Sequence, residues 1–146
     1  MVISQKLVVK LKLKLATMIK DALVTLASTN FEELINFYTQ LLEKKPTTII
    51  PNIYAEFQIC GWRLGIFQPK QTHASEFASS STSKISLCLE VSNLENAIAH
   101  LTTLGYPPPG EISLAAHGRE IYAYDPDGNR LILHEAINSD RVMKQK

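Results

Sequence analysis

Apolar residues along this chain follow two alternating patterns, and the pair of patterns occurs twice in the same order. A short apolar run at 23–27 is followed by Phe31, Leu34, Ile35, Tyr38, Leu41 and Leu42, spaced three and four residues apart. A second run at 86–91 is followed by Leu94, Ala97, Ile98, Leu101 and Leu104 in the same spacing. Each pair predicts a strand, then a helix whose apolar stripe packs on a sheet. Thr29 with Glu32, and Ser92 with Glu95, have the spacing of a capping box, which places the helix starts there. Gly105 is a natural stop for the second helix. After each helix the chain returns as a hairpin: 53–60 with 62–67 around Gly61, and 119–124 with 130–135 around the turn-forming DPDGN at 125–129. Near the start, Val9, Leu11, Leu13 and Leu15 alternate with Lys10, Lys12 and Lys14. That period of two predicts a strand over 7–15, within an N-terminal extension (1–17) on a domain spanning 18–146.

The two patterns are an internal repeat. At a shift of 63 residues Leu26 matches Leu89, Asn30 matches Asn93, Glu32 matches Glu95 and Ile35 matches Ile98. The hairpins match at a shift of 67: Gly61 with Gly128, Arg63 with Arg130, Leu64 with Leu131. The second copy therefore carries about four more residues between helix and hairpin, where PPPG lies at 107–110. The reading is an α+β domain of module 1 (21–68), a polar, serine-rich linker (69–83), module 2 (84–137) and a C-terminal tail. The linker reads as a plain connector or as a flap over a pocket.

Charge narrows the partners. The net charge is +1, but residues 1–20 hold five lysines and no acid, while 21–140 hold seven basic and fourteen acidic residues, a net of −7. An acidic body repels phosphate backbones, so nucleic acid is not expected as a partner. No apolar run approaches membrane-spanning length, and lysines interrupt the start where a signal peptide would be apolar, so no membrane partner is expected. Cys60 and Cys88 lack metal or redox spacing and read as buried thiols in a reducing, cytoplasmic compartment.

The repeat, its two helices and the segment GREIYAYDPDGNRLILHE at 118–135 resemble the vicinal oxygen chelate superfamily, which contains glyoxalase I, bleomycin-resistance proteins and extradiol dioxygenases. The resemblance covers 21–137. It implies two βαβββ modules forming a curved mixed sheet with a concave cleft and helices outside, and a homodimer. In metal-dependent members the first and last strands of each module each supply one His or Glu ligand to a divalent ion. Carried over by position, these places are Leu23, Gly65, Ser86 and Ile132, none of which is a strong donor. The resemblance thus implies no metal and no cofactor, and a metal-independent small-molecule binder of the bleomycin-resistance kind. Two alternatives stand. One is a lyase, isomerase or dioxygenase of the glyoxalase type, with acid–base chemistry from His134, Glu90 or Glu56. The other is a structural or interaction module whose cleft is filled by side chains, favoured by the bulk of Leu23 and Ile132. Whether the chain is an enzyme stays open.

Strand parity selects candidate site residues. His134 lies two residues beyond Ile132 and so shares its face. Leu23, Thr25 and Ala27 in module 1, and Ser86, Cys88 and Glu90 in module 2, are expected to face the cleft. Trp62, Phe67, Tyr122 and Tyr124 are the expected aromatic lining for a flat ligand. Arg119 is the preferred anion contact, Arg63 and Arg130 are rim charges, and His117 approaches the cleft mouth. His100 is assigned to the surface and His73 to a loop.

Overall fold

The computed structural model describes residues 4–9, 18–19, 21–78 and 83–137. Residues 5–9 form a short helix, α1, in place of the strand expected from residue 7. The amides of Leu7 and Val8 donate to the carbonyl of Ser4, each at 3.1 Å, and Ser4 Oγ also accepts from Leu7 at 3.3 Å. The serine therefore satisfies amides that a helix start leaves free. Residues 10–15 of the expected strand lie outside the described residues.

The remaining elements are β1 (Val24–Ala27), α2 (Phe31–Leu42), β2 (Thr48–Ile50), β3 (Tyr54–Ile59), β4 (Trp62–Phe67), a 3-10 helix (Gln71–Phe77), β5 (Leu87–Glu90), α3 (Leu94–Thr103), β6 (Ser113–Ala115), β7 (Gly118–Tyr124) and β8 (Arg130–Ala136). This is strand–helix–three strands, twice. The strands form two four-stranded sheets, ordered β1-β4-β3-β2 and β5-β8-β7-β6. In each sheet the first and last strands of the module run parallel and the other pairs antiparallel. The repeat is visible in the register: Val24 stands opposite Leu64, and their counterparts Leu87 and Leu131 stand opposite each other. The connection after α2 is 43–47 and that after α3 is 104–112, which locates the extra residues of module 2.

Parity decides which face is core. Leu64, Ile66, Ala55 and Phe57 in sheet 1, and Leu131, Leu133, Ile121 and Ala123 in sheet 2, are buried with the apolar stripes of α2 and α3. Alternate residues point the other way. The hairpin between β3 and β4 turns at Cys60 and Gly61, both at positive φ (44° and 88°), as a tight two-residue turn of matching twist requires. Both cysteines are exposed and free, so the expectation of buried thiols is corrected. The helix caps also fall one residue later than expected. Asn93, not Ser92, caps α3 by accepting from Asn96 N at 2.8 Å. Asn30 occupies the cap of α2 while Ser28 Oγ accepts from its amide. The linker contains the 3-10 helix, whose Phe77 meets Phe67 edge-on at 5.2 Å.

The modules are joined through α2. Tyr38 donates to Asp125 at 2.7 Å, and Tyr106 donates to Glu33 at 2.9 Å while its ring meets Phe37 edge-on. His100 Nε2 lies 2.9 Å from the carbonyl of Gln40, so this histidine bridges the helices. No described helix is long and apolar enough to cross a membrane.

Candidate functional site

On the side of each sheet turned away from the helices, the register sets side chains in rows. In sheet 1 one row is Thr25, Gly65 and Glu56, and the next is Ala27, Phe67 and Tyr54. The corresponding rows of sheet 2 are Cys88, Ile132 and Tyr122, then Glu90, His134 and Glu120. Three of the four places that the resemblance assigns to metal ligands thus have direct neighbours. Gly65 is hemmed in: a Cβ there would lie 2.8 Å from the hydroxyl of Tyr54 and 3.2 Å from Leu23 Cδ1. Ile132 stands between Cys88 and Tyr122, and Ser86 Oγ accepts from Arg130 Nη1 at 3.1 Å. Among the described residues no group of three or more His, Cys, Asp or Glu side chains is placed to hold an ion.

Each sheet carries a polar group on this side: Tyr54 donates to Glu56 at 2.7 Å beside Arg63 in the first, and a histidine–carboxylate pair stands in the second. His134 is 7% exposed, and its Nδ1 lies 2.6 Å from Glu90 Oε2. Glu90 Oε1 accepts from Ala136 N at 2.7 Å. The hydrogen bond from His134 holds the Glu90 carboxyl below its ordinary range, and the Ala136 amide and the neighbouring imidazoles add to the effect against the opposing desolvation. An ionised carboxylate can only accept, so we assign the imidazole proton to Nδ1. In the neutral imidazole Nε2 then carries the lone pair, and this atom is buried with no hydrogen-bond partner among the described residues. His117, on the turn between β6 and β7, lays its ring over His134 with centroids 4.8 Å apart and 31° between planes. Although Cys88 is exposed, partial desolvation by its neighbours and the charges of Glu90 and Glu120 push its thiol up, which disfavours the thiolate and makes this cysteine a poor nucleophile.

The candidates divide by face. Glu90, Cys88, Tyr122, Tyr124 and His134 share the outward side of sheet 2, and Phe67 that of sheet 1. Tyr122 and Tyr124 are both exposed. Trp62 has the parity of Leu64 and Ile66 and packs against the core, so it lines nothing on the outward side. Arg119 likewise has the parity of Ile121 and faces the helices. Its Nη1 and Nη2 donate to both oxygens of Glu95 (2.6 and 2.9 Å) and it also pairs with Glu135, pinning α3 to β8. It is a structural tie and is not free for a ligand anion. Arg63 pairs with Asp21 and Glu56, and Arg130 with the carbonyl of Ser83 and with Ser86; Arg130 also lies 6.0 Å from the Tyr122 ring centre. Glu120 completes the acidic row and was missed in the sequence, although its parity with Tyr122 and Tyr124 marks it. A separate, open hollow of about 670 Å³ lies between the end of β1, the 3-10 helix and the 125–129 turn, lined by Ser28, Asn30, Phe77, Asp127 and Asn129 among others. Of the residues expected to face the cleft, Ala27 lines it, and the aromatic and charged candidates do not.

No family model matches the sequence and no curated protein matches it. Solved structures do match. A glyoxalase / bleomycin resistance protein from Catenulispora acidiphila is 21% identical with a TM-score of 0.60, over 80% of this chain and 98% of that one. A glyoxalase-related enzyme from Fulvimarina pelagi is 20% identical with a TM-score of 0.65, over 83% and 94%. A fosfomycin resistance protein from Listeria monocytogenes is 16% identical with a TM-score of 0.64, over 84% and 95%. At such identities the likeness is one of architecture. With its two repeated modules and paired four-stranded sheets, this chain has the glyoxalase / bleomycin-resistance fold.

Proposed function

We propose that this chain is a metal-independent small-molecule-binding protein whose ligand lies on the outward face of the second sheet. The observation that carries the reading is the content of the four inherited ligand places. Leu23 and Ile132 are hydrocarbon, Gly65 has no side chain and its space is taken by Tyr54 and Leu23, and the hydroxyl of Ser86 is engaged by Arg130. A divalent ion needs several donors at about 2 Å in fixed geometry, and these four residues do not offer them. The first sheet is filled at its centre, whereas the second leaves Tyr122 and Tyr124 exposed beside a buried imidazole. Aromatic walls with a few polar groups suit a flat, partly apolar molecule.

The test is thermal unfolding of the purified chain against a broad chemical library, with and without added zinc, nickel, manganese or iron. The reading expects saturable stabilisation by some library members that is unchanged by the metals. Stabilisation that appears only with metal, or none at all, contradicts it.

We infer further that the face is completed by a second copy of the chain. Supporting this, Leu23 and Val24 beside one sheet edge, Ile49 and Ile50 on another, and Leu114 on β6 are exposed. Open strand edges carrying apolar side chains invite pairing.

A further inference from the structure

The repeat supplies an internal control for the second module. Where module 1 places Ala27, Phe67 and Tyr54 side by side across β1, β4 and β3, module 2 places Glu90, His134 and Glu120 across β5, β8 and β7. The fold is built at this row from a methyl group, a phenyl ring and a phenol in one copy. It therefore does not demand two carboxylates and an imidazole in the other. The row also carries an unmet need. His134 is more than nine-tenths buried, and its Nε2 has no partner among the described residues. Buried polar atoms are paired as a rule, and an exception calls for a ligand or water at that atom.

The hydrogen-bonding inventory of the row is one-sided. The Glu90 carboxylate accepts, the Glu120 carboxylate accepts, and in the neutral imidazole, where Nδ1 holds the proton for Glu90, Nε2 accepts as well. Nearby cations do not reverse this. Arg119 faces the helices and is engaged by Glu95 and Glu135, and Arg130 is engaged by Ser83 and Ser86. The adjoining row of Cys88, Ile132 and Tyr122 is apolar to weakly polar and carries the exposed Tyr122 ring.

Resting on the binding reading above, we propose that the Glu90–His134–Glu120 row is a subsite for the planar, N–H-rich cationic head of a small molecule, an amidine or guanidine. The two carboxylates and Nε2 accept its N–H groups, charge-assisted at the carboxylates. The rest of the ligand lies along Ile132 and Tyr122. Nε2 lies against Gly118, where a Cβ would stand 2.9 Å away, and the stacked His117 ring covers the imidazole, so a ligand reaches it as that ring swings away. That ring is exposed, sits on a turn, and makes no hydrogen bond with the described residues. An anionic ligand would meet two carboxylates, with Arg119 and Arg130 already engaged elsewhere.

The experiment is an amide NMR titration of the full chain with benzamidine, benzamide and benzoate. These three probes share one shape and differ in charge and donors. Benzamidine is expected to shift the signals of Glu90, Glu120 and His134 saturably at millimolar concentration, and benzoate to leave them in place. Glu90→Gln and Glu120→Gln, each confirmed as folded by its spectrum, should each weaken benzamidine by about tenfold, with benzamide little affected. Saturation of the row by benzoate overturns the proposal. So does benzamidine binding that is absent, that maps elsewhere, or that survives both substitutions. If some library ligand stabilises the chain while benzamidine fails at this row, the subsite assignment falls and the binding reading stands. If no library ligand stabilises it either, the binding reading falls as well.

Discussion

Asp125 is the most heavily hydrogen-bonded side chain of the module junction. Only 3% exposed, it accepts from the amides of Asp127 and Asn129, from Asn129 Nδ2 and from the Tyr38 hydroxyl. All four partners are donors. Asp125→Asn would turn an N–H₂ group toward some of them, so we expect it to lower unfolding stability by about 2 kcal/mol. Urea denaturation reads this, and an unchanged midpoint would remove Asp125 from the junction. Glu90 carries a pH signature. Its folded-state pKa is depressed, so its contribution is present above the ordinary value of 4.5 and is lost as pH falls through the lower folded value. Because Glu90 is largely exposed, the effect is small. Wild type and Glu90→Gln should therefore differ in unfolding midpoint at pH 6 and converge as pH falls well below 4.5; a gap that widens there contradicts the pairing with His134. Single residues were legible where parity was applied and lost where it was not. Parity sets His134 on the face of Ile132. Arg119 and Trp62, expected on the ligand face, share parity with core residues, Ile121 and Leu64.

At the level of elements, two glycines in the strands permit close approach with different neighbours. A Cβ at Gly118 would collide with the backbone carbonyl of Glu135 and lie 2.9 Å from His134 Nε2. At Gly65 it would meet the tips of Tyr54 and Leu23, which can turn aside. Gly118→Ala should therefore cost about 3 kcal/mol and Gly65→Ala about 1 kcal/mol in chemical denaturation. Equal costs would mean that Gly118 is not where the β7–β8 pair is tightest. The two long helices and strands β3, β4, β7 and β8 follow from periodicity because each has one face in the core, whereas β2, exposed along its length, leaves no such pattern. The opening segment does not follow from it either. Leu7 and Val9 are exposed, so over residues 7–9 the pattern marks no buried face, and the serine at position 4 starts a helix instead. The caps slipped by one residue for a related reason. Asn30 and Asn93 compete for the cap with the neighbouring Thr29 and Ser92, and side-chain oxygens of similar reach cannot be ranked from spacing alone.

Across the whole molecule, the shifts of 63 and 67 residues proved to be a map of the pairing register, since they carry Val24 and Leu64 onto Leu87 and Leu131. The same shifts carry Ala27 and Phe67 onto Glu90 and His134. The meeting of these two candidates was thus contained in the sequence once the parallel pairing of the first and last strands is supplied. What spacing does not report is how side chains fill the space between them, as Tyr54 and Leu23 do at Gly65. Association follows from the same open faces: sedimentation should show a dimer of the 16.3 kDa chain at micromolar concentration, and a monomer alone would contradict the inferred second copy. The central claim is that this fold works here without its metal, and elemental analysis tests it most directly. Protein purified without chelator or added metal would be measured beside a metal-soaked sample. The account predicts far less than one transition-metal ion per chain in both. Near-stoichiometric zinc, nickel, manganese or iron that disappears on His134→Ala would contradict it.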